Sequence, residues 1–350
     1  MKRLIIFSMT GVSLLASLQD PSDINKLARE FSESARCETR DPIGLSINVA
    51  FNEYAAMQDA NEIGFKGNTA DSFYPTHNAP EGSVVRFGNN YHPGFQVGFS
   101  LNTPLDKWNF GGEYLWYRGH SSKEADATGT EYYISPLFIG TYSVALTSLN
   151  ADWHLSLDLI DLYLTRPYYS GRKLTVEPLL GLKFGSIRQK YELNADVLDE
   201  AWDSQTVETK SRSFGVGPKL GCQSNFLMGK GFSIIGDLFT TLLYTRYTSI
   251  DANYTNSVGQ AAFITENNYG TVRPILDAGI GLGWKGYFGM GSGDYSWHKT
   301  FYMSLTAAYN FSLFFSQNME MAIVSIADQT QSTPGNLYLQ GLSVGLDFIF

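Results

Sequence analysis

In residues 269–288 nearly every second position is apolar: Val272, Pro274, Leu276, Ala278, Ile280, Leu282, Trp284 and Phe288 share one parity, opposite Arg273, Asp277, Gly279, Gly281, Gly283 and Lys285. Side chains alternate across a strand, whereas a helix would mix the two sets, so the pattern predicts a strand with one apolar face and one polar or empty face. Residues 213–228 repeat it, with Phe214, Val216, Leu220, Cys222, Phe226 and Met228 opposed to Ser213, Gly215, Gly217, Lys219, Gly221, Gln223 and Asn225. The same alternation recurs at 43–51, 91–101, 108–116, 153–164, 174–184, 232–244, 301–315 and 338–350, which predicts ten strands. In 153–164 the apolar parity changes between Leu159 and Ile160, the mark of an expected bulge. Pro178, Pro218 and Pro274 interrupt central strands, where each removes a ladder donor, and local bulges are expected there too.

Met1-Lys2-Arg3 and the mostly apolar residues 4–18 read as a secretory signal, with residues 1–17 removed near Ala16 or Ser17. A short N-terminal anchor is the alternative, but so brief a run is a poor bilayer span. Beyond residue 18 no apolar run is long enough to cross a membrane as a helix. An exported chain of this kind enters a membrane only as a closed barrel, because lipid leaves open strand edges unsatisfied. The connections alternate in length. They are long at 58–90, 119–147, 193–210, 250–268 and 317–335, and short at 103–107, 169–173, 228–231 and 289–296. Long outer loops, short periplasmic turns and an even strand count are the bacterial barrel pattern.

The expected fold is therefore all-β, an up-and-down antiparallel transmembrane β-barrel over residues 43–350, with about ten strands and eight to twelve allowed. Lipid-facing aromatics fall into two girdles: Trp116, Trp153, Phe214 and Tyr244 outside, and Trp108, Phe226, Phe232, Trp284 and Phe348 inside. The ending Leu346-Asp347-Phe348-Ile349-Phe350 resembles the C-terminal signal read by the barrel-assembly machinery, making that machinery an expected partner. A soluble sandwich is the competing architecture, though it has no need for the loop alternation. Residues 18–42 form a separate segment. Asp20-Pro21 starts a helix there, with Ile24, Leu27, Phe31 and Ala35 on one face. This helix would plug the barrel, pack on partner subunits of a homo-oligomer, or lie in the periplasm.

Composition narrows the function. Only 17% of residues are charged, 14% are aromatic and 34 are glycine, unlike a helical cytosolic enzyme. A net charge of −9 without a basic stripe excludes nucleic acid as a partner, leaving outer-membrane lipid and lipopolysaccharide. Two cysteines exclude a disulfide scaffold; Cys222 points to lipid, and Cys37 is placed to bridge two chains. The expected pore lining is Glu113, Asp158, Asp161, Glu177, Lys183, Lys219, Asp237, Arg273, Asp277 and Lys285, with Asp152, His154, His298 and Asp347 on the same inward parity. Acids outnumber bases, so a mild cation preference is expected if the interior is wet, and a cross-braced structural network if it is not. The glycine-spaced runs Gly215–Gly221 and Gly279–Gly283 superficially suggest nucleotide binding, but both lie inside strands and are explained by the period. His120, Asp152 and His154 should meet near the outer rim of the third and fourth strands, where an outer-membrane hydrolase would keep an acid/base pair, yet no nucleophile motif accompanies them. No catalytic, cofactor-binding or metal-binding set is expected.

Trp153, Asp158-Leu159-Ile160-Asp161-Leu162, Arg166-Pro167-Tyr168 and Val176-Glu177-Pro178-Leu179-Leu180-Gly181-Leu182-Lys183 resemble the Legionella-type, chlamydia-related major outer membrane proteins. So does Ser213-Phe214-Gly215-Val216-Gly217-Pro218-Lys219-Leu220-Gly221 with Ser233-Ile234-Ile235-Gly236 and Leu242-Leu243-Tyr244. The resemblance implies a pore-forming protein of the outer membrane of an intracellular Gram-negative bacterium and carries no catalytic residue. The expected function is passage of small hydrophilic solutes, with long loops exposed at the surface. The alternative is an adhesin or structural barrel without a conducting pore.

Overall fold

The computed structural model describes residues 44–59, 61–67, 82–103, 108–128, 131–135, 145–170, 172–197, 204–257, 261–289, 300–323 and 330–349. The expected signal, the segment 18–42 with Cys37, His298 and Phe350 lie outside the described residues.

The strands are β1 (Gly44–Gln58), β2 (Glu62–Gly67), β3 (Gly82–Arg86), β4 (Tyr91–Asn102), β5 (Asn109–Asp126), β6 (Tyr132–Ile134), β7 (Leu146–Thr165), β8 (Tyr168–Ser170), β9 (Leu174–Val197), β10 (Ser204–Gly229), β11 (Phe232–Asn256), β12 (Ala261–Glu266), β13 (Tyr269–Gly289), β14 (Thr300–Ile323) and β15 (Thr330–Ile349). Ten of them form one antiparallel meander in the order β1, β4, β5, β7, β9, β10, β11, β13, β14, β15. β15 then pairs back on β1, from Ser46↔Ile349 to Gln58↔Leu337, and closes the barrel. Closure removes the edges whose unpaired amides lipid cannot satisfy. These are the ten strands that the alternation predicts. The short strands extend the wall: β2 joins β3 and β6, β12 pairs with the end of β11, and β8 pairs with the start of β9.

At the β10–β11 hairpin, Gly229, Lys230 and Gly231 all have positive φ (127°, 55° and 82°), and a Cβ on Gly231 would meet the Lys285 carbonyl. Glycine there allows both the tight reversal and the approach of β13.

The outer wall around the barrel's inner half is apolar, with Leu45, Ile47, Val49, Leu162, Leu180, Leu242, Ile280 and Leu342 all exposed. Crossing hydrocarbon takes about 9–11 strand residues. β9, β10 and β11 have 24, 26 and 25 residues, so they continue well beyond the lipid. Much of the expected outer loops is therefore strand: β9 reaches Val197, β10 begins at Ser204, β14 reaches Ile323 and β15 begins at Thr330.

This continuation explains the parity change in β7, where no bulge exists. Pairing runs unshifted from Trp116↔Asp158 to Glu113↔Asp161 on one side and from Asp158↔Ser186 to Asp161↔Lys183 on the other. Leu157 is 0% exposed and points inward, whereas Ile160 is 46% exposed and points outward. Below Ile160 the outside of the wall meets lipid; above it the outside meets water, so apolar side chains turn inward and form a core as in a soluble protein. Trp153 belongs to that core, not to the expected outer girdle. Trp116, Phe214 and Tyr244 do face outward, as do Trp108, Phe226 and Phe232 near the other end.

The prolines also sit without bulges. Pro178 is opposite Cys222, Pro218 opposite Leu182 and Pro274 opposite Leu242, in unbroken register, with all three rings on the exposed outer wall. Register shifts fall elsewhere, at Glu62/Gly64, Leu146/Ser148, Arg212/Ser213, Leu227/Gly229 and Phe314/Asn318. Beside Pro218, a Cβ on Gly217 would collide with the Leu242 carbonyl, so β10 and β11 approach closely where the proline cannot donate.

Candidate functional site in the barrel lumen

Inward parity brings one charged side chain from each of six neighbouring strands to the middle of the lumen: Glu113 (β5), Asp161 (β7), Lys183 (β9), Lys219 (β10), Asp237 (β11) and Asp277 (β13). Lys219 Nζ lies 2.6 Å from Asp161 Oδ2, and Lys183 Nζ lies 3.0 Å from Asp277 Oδ2 and 3.4 Å from Asp161 Oδ2. Lys219 also sits over the Phe239 ring, 4.5 Å from its centroid. Asp161, Lys183 and Lys219 are buried, where attraction between charges is far stronger than in water and an unpaired charge is costly. The group is a cross-brace between strands far apart in sequence.

Toward the periplasmic end the interior opens into a chamber of ≈ 390 Å³. Glu177, Asp347 and Lys285 line it together with the lower faces of Glu113, Asp237 and Lys219. Uncharged groups missed by a search for charge complete the lining, among them Asn48, Gln96, Gln223 and Asn310. Their inward parity was readable from the same alternation. Asn310 Nδ2 donates to the Tyr54 hydroxyl at 2.9 Å, and Tyr117 Oη donates to the Tyr54 carbonyl at 3.1 Å, so the chamber's roof is itself hydrogen-bonded.

Above the charged brace the lumen is filled. Tyr117, Leu155, Leu157, Ile187, Leu193, Leu243, Ile275, Phe314 and Leu337 are almost wholly buried and belong to one contiguous cluster. Arg273 is inward as expected but lies in this outer half, beside Tyr247.

Asp158 is not a lumen residue. It lies on the outer wall, where Arg118 Nη2 donates to both its oxygens at 3.0 and 2.9 Å, Arg188 Nη2 donates at 3.3 Å and Tyr114 Oη at 2.8 Å. Asp152 and His154 share that outward parity, contrary to expectation, because the bulge that would have turned them inward is absent. His120 and His154 do meet across β5 and β7 near the outer rim, with Nδ1 atoms 3.1 Å apart and rings stacked at 4.2 Å, and Asp152 Oδ1 is 3.7 Å from His120 Nε2. Among the described residues no cluster suited to a metal ion occurs.

A closed meander with an apolar outer belt and a polar inner chamber defines an integral β-barrel of the bacterial outer membrane, porin-like in its wall. The chain belongs to the family described as the Legionella pneumophila major outer membrane protein precursor, which matches residues 53–350. The resemblance read from the β7–β9 and β10–β11 sequences thus extends over most of the barrel. Among solved structures the chain is similar to the outer membrane protease OmpT of Escherichia coli (10% identity, 88% of this chain and 97% of that one, TM-score 0.43). It is also similar to the Pseudomonas putida toluene transporter TodX (9%, 89% and 90%, TM-score 0.34) and to a major outer membrane protein of Thermus thermophilus (10%, 89% and 100%, TM-score 0.32). TM-scores this low leave the activities of those proteins with those proteins. No curated protein is similar to the chain in sequence.

Proposed function

We propose that this protein is a display barrel: a rigid outer-membrane wall that carries strand-extended hairpins above the surface, with its lumen stoppered at rest. One observation carries the reading, the burial of Tyr117, Leu155, Leu157, Ile187 and Leu243 across the lumen just above the Lys–Asp brace. A path for hydrated solutes would have to part both seals in series, and an apolar constriction excludes water and ions. The ten-strand width agrees, since small barrels are filled by their own side chains. The role is binding or structural support at the cell surface, without an enzymatic reaction. The stacked His120–His154 pair is not assigned a catalytic task.

A second reading is favoured by the polar chamber: passage of small hydrophilic solutes, with a cation preference set by Glu113, Glu177, Asp237 and Asp347 against Lys219 and Lys285. Planar-bilayer recording of the folded, purified protein separates the two. Steady ionic steps would sink the display reading; a silent barrel that still migrates as folded on an unheated gel supports it.

A further inference from the structure

We propose that the outer wall holds a binding site for the phosphorylated headgroup of an outer-leaflet glycolipid, centred on Arg188 (β9) and Arg212 (β10). These two arginines are direct register partners, and both are exposed on the outward face. Like charges placed opposite each other on neighbouring strands destabilise the pair unless an anion lies between them. Arg188 shares Asp158 with Arg118, and among the described residues Arg212 has no carboxylate partner. The nearest other charges on this face are already engaged. Lys190 and Lys210 take up Glu192 and Glu208, Arg246 donates to Asn268, and Asp251, across from Lys210, accepts from Thr265. Arg118, Arg188, Lys190, Lys210, Arg212 and Arg246 therefore stand against Asp152, which lies beside His120, and Asp158, Glu192, Glu208 and Asp251, and the remaining cationic excess lies at Arg212.

The position selects a lipid over a soluble phosphate. Directly below Arg212 on the same face is the exposed Phe214, below Arg188 come Phe184 and Leu182, and below Arg118 is Trp116, whose ring lies under the guanidinium at 4.9 Å. The arginines thus mark the upper edge of the apolar belt, where phosphates of the outer leaflet lie while their acyl chains cover the aromatics. Guanidinium groups bind phosphate through paired, charge-assisted hydrogen bonds, which lysines do not reproduce.

The test uses the full chain in detergent micelles, with native mass spectrometry and titration of bisphosphorylated lipid A, dephosphorylated lipid A and inorganic phosphate. Wild type should retain bisphosphorylated lipid A. The R188Q/R212Q variant should bind it at least about tenfold more weakly, given what charge-assisted hydrogen bonds contribute. R212K should fall between the two, and the dephosphorylated lipid should bind wild type no better than the double variant. Equal affinity of wild type and double variant, or of the two lipids, overturns the proposal. Full competition by inorganic phosphate also overturns it, because the site would then be a simple anion site. Both arginines are exposed, and the heat-modifiable gel shift confirms that each variant has folded.

Discussion

Lys219 Nζ and Asp161 Oδ2 meet at 2.6 Å across the inside of the barrel, 58 residues apart in sequence and joined by no backbone ladder to each other. Asp161 also takes Lys183, so one carboxylate anchors two buried ammonium groups. Asp161→Asn should destabilise the barrel by about 3–5 kcal/mol, because it strands buried charge. The measurement is the denaturant midpoint for loss of the folded, fast-migrating gel band. A second variant, Asp161→Asn with Lys219→Met, should recover part of the loss.

The apolar seal makes a separate prediction. Leu157→Ala removes a fully buried side chain and should cost about 2–5 kcal/mol by the transfer and cavity terms together. Replacing Leu155, Leu157 and Ile187 jointly by serine should wet the outer half of the lumen. Bilayer current should then rise above that of the parent protein; unchanged silence would place the barrier elsewhere.

Outward and inward parity in β7 can be read chemically. His154→Cys, exposed on the outward parity above the apolar belt, should react with a bulky impermeant maleimide on intact cells, whereas Asp161→Cys should resist it until the barrel is unfolded. Labelling of both at similar rates would contradict the unshifted register.

At Gly217 a side chain has no room, since its Cβ would strike the Leu242 carbonyl. Gly217→Val should therefore cut the yield of folded barrel in a refolding assay, while Gly236→Ala, whose Cβ would meet the Ser224 hydroxyl at 3.2 Å, should be far milder.

The outer extension has its own pH dependence. Lys66 Nζ lies 2.7 Å from Glu131 Oε1, and the Lys66 and Thr128 hydrogen bonds pull the Glu131 carboxyl from 4.5 down to about 2. A carboxyl lowered on folding contributes its stability above its ordinary value and loses it as pH falls toward the folded value. Protease nicking of the β2–β6 region should therefore stay constant from neutral pH down to about 4.5 and rise below it. Glu131→Gln should show the acid level of nicking at neutral pH.

The alternation of β13 and β10, repeated over eight further segments, was enough to specify ten strands, an outer apolar face and closure, because hydrocarbon demands strict parity and tolerates no free edge. It also placed Asp161, Glu177, Lys183, Lys219, Asp237, Asp277 and Lys285 inside. The side of Asp158 was not legible. Its neighbours Leu157 and Leu159 are as greasy as lipid-facing residues, and only the height of β7 relative to the bilayer tells which side is apolar. The tertiary structure alone decided that the outer half of the lumen is packed, that Asp161 binds two lysines, and that Arg188 stands opposite Arg212. Each of these depends on the stagger between strands, and a one-dimensional pattern of period two carries parity but no stagger.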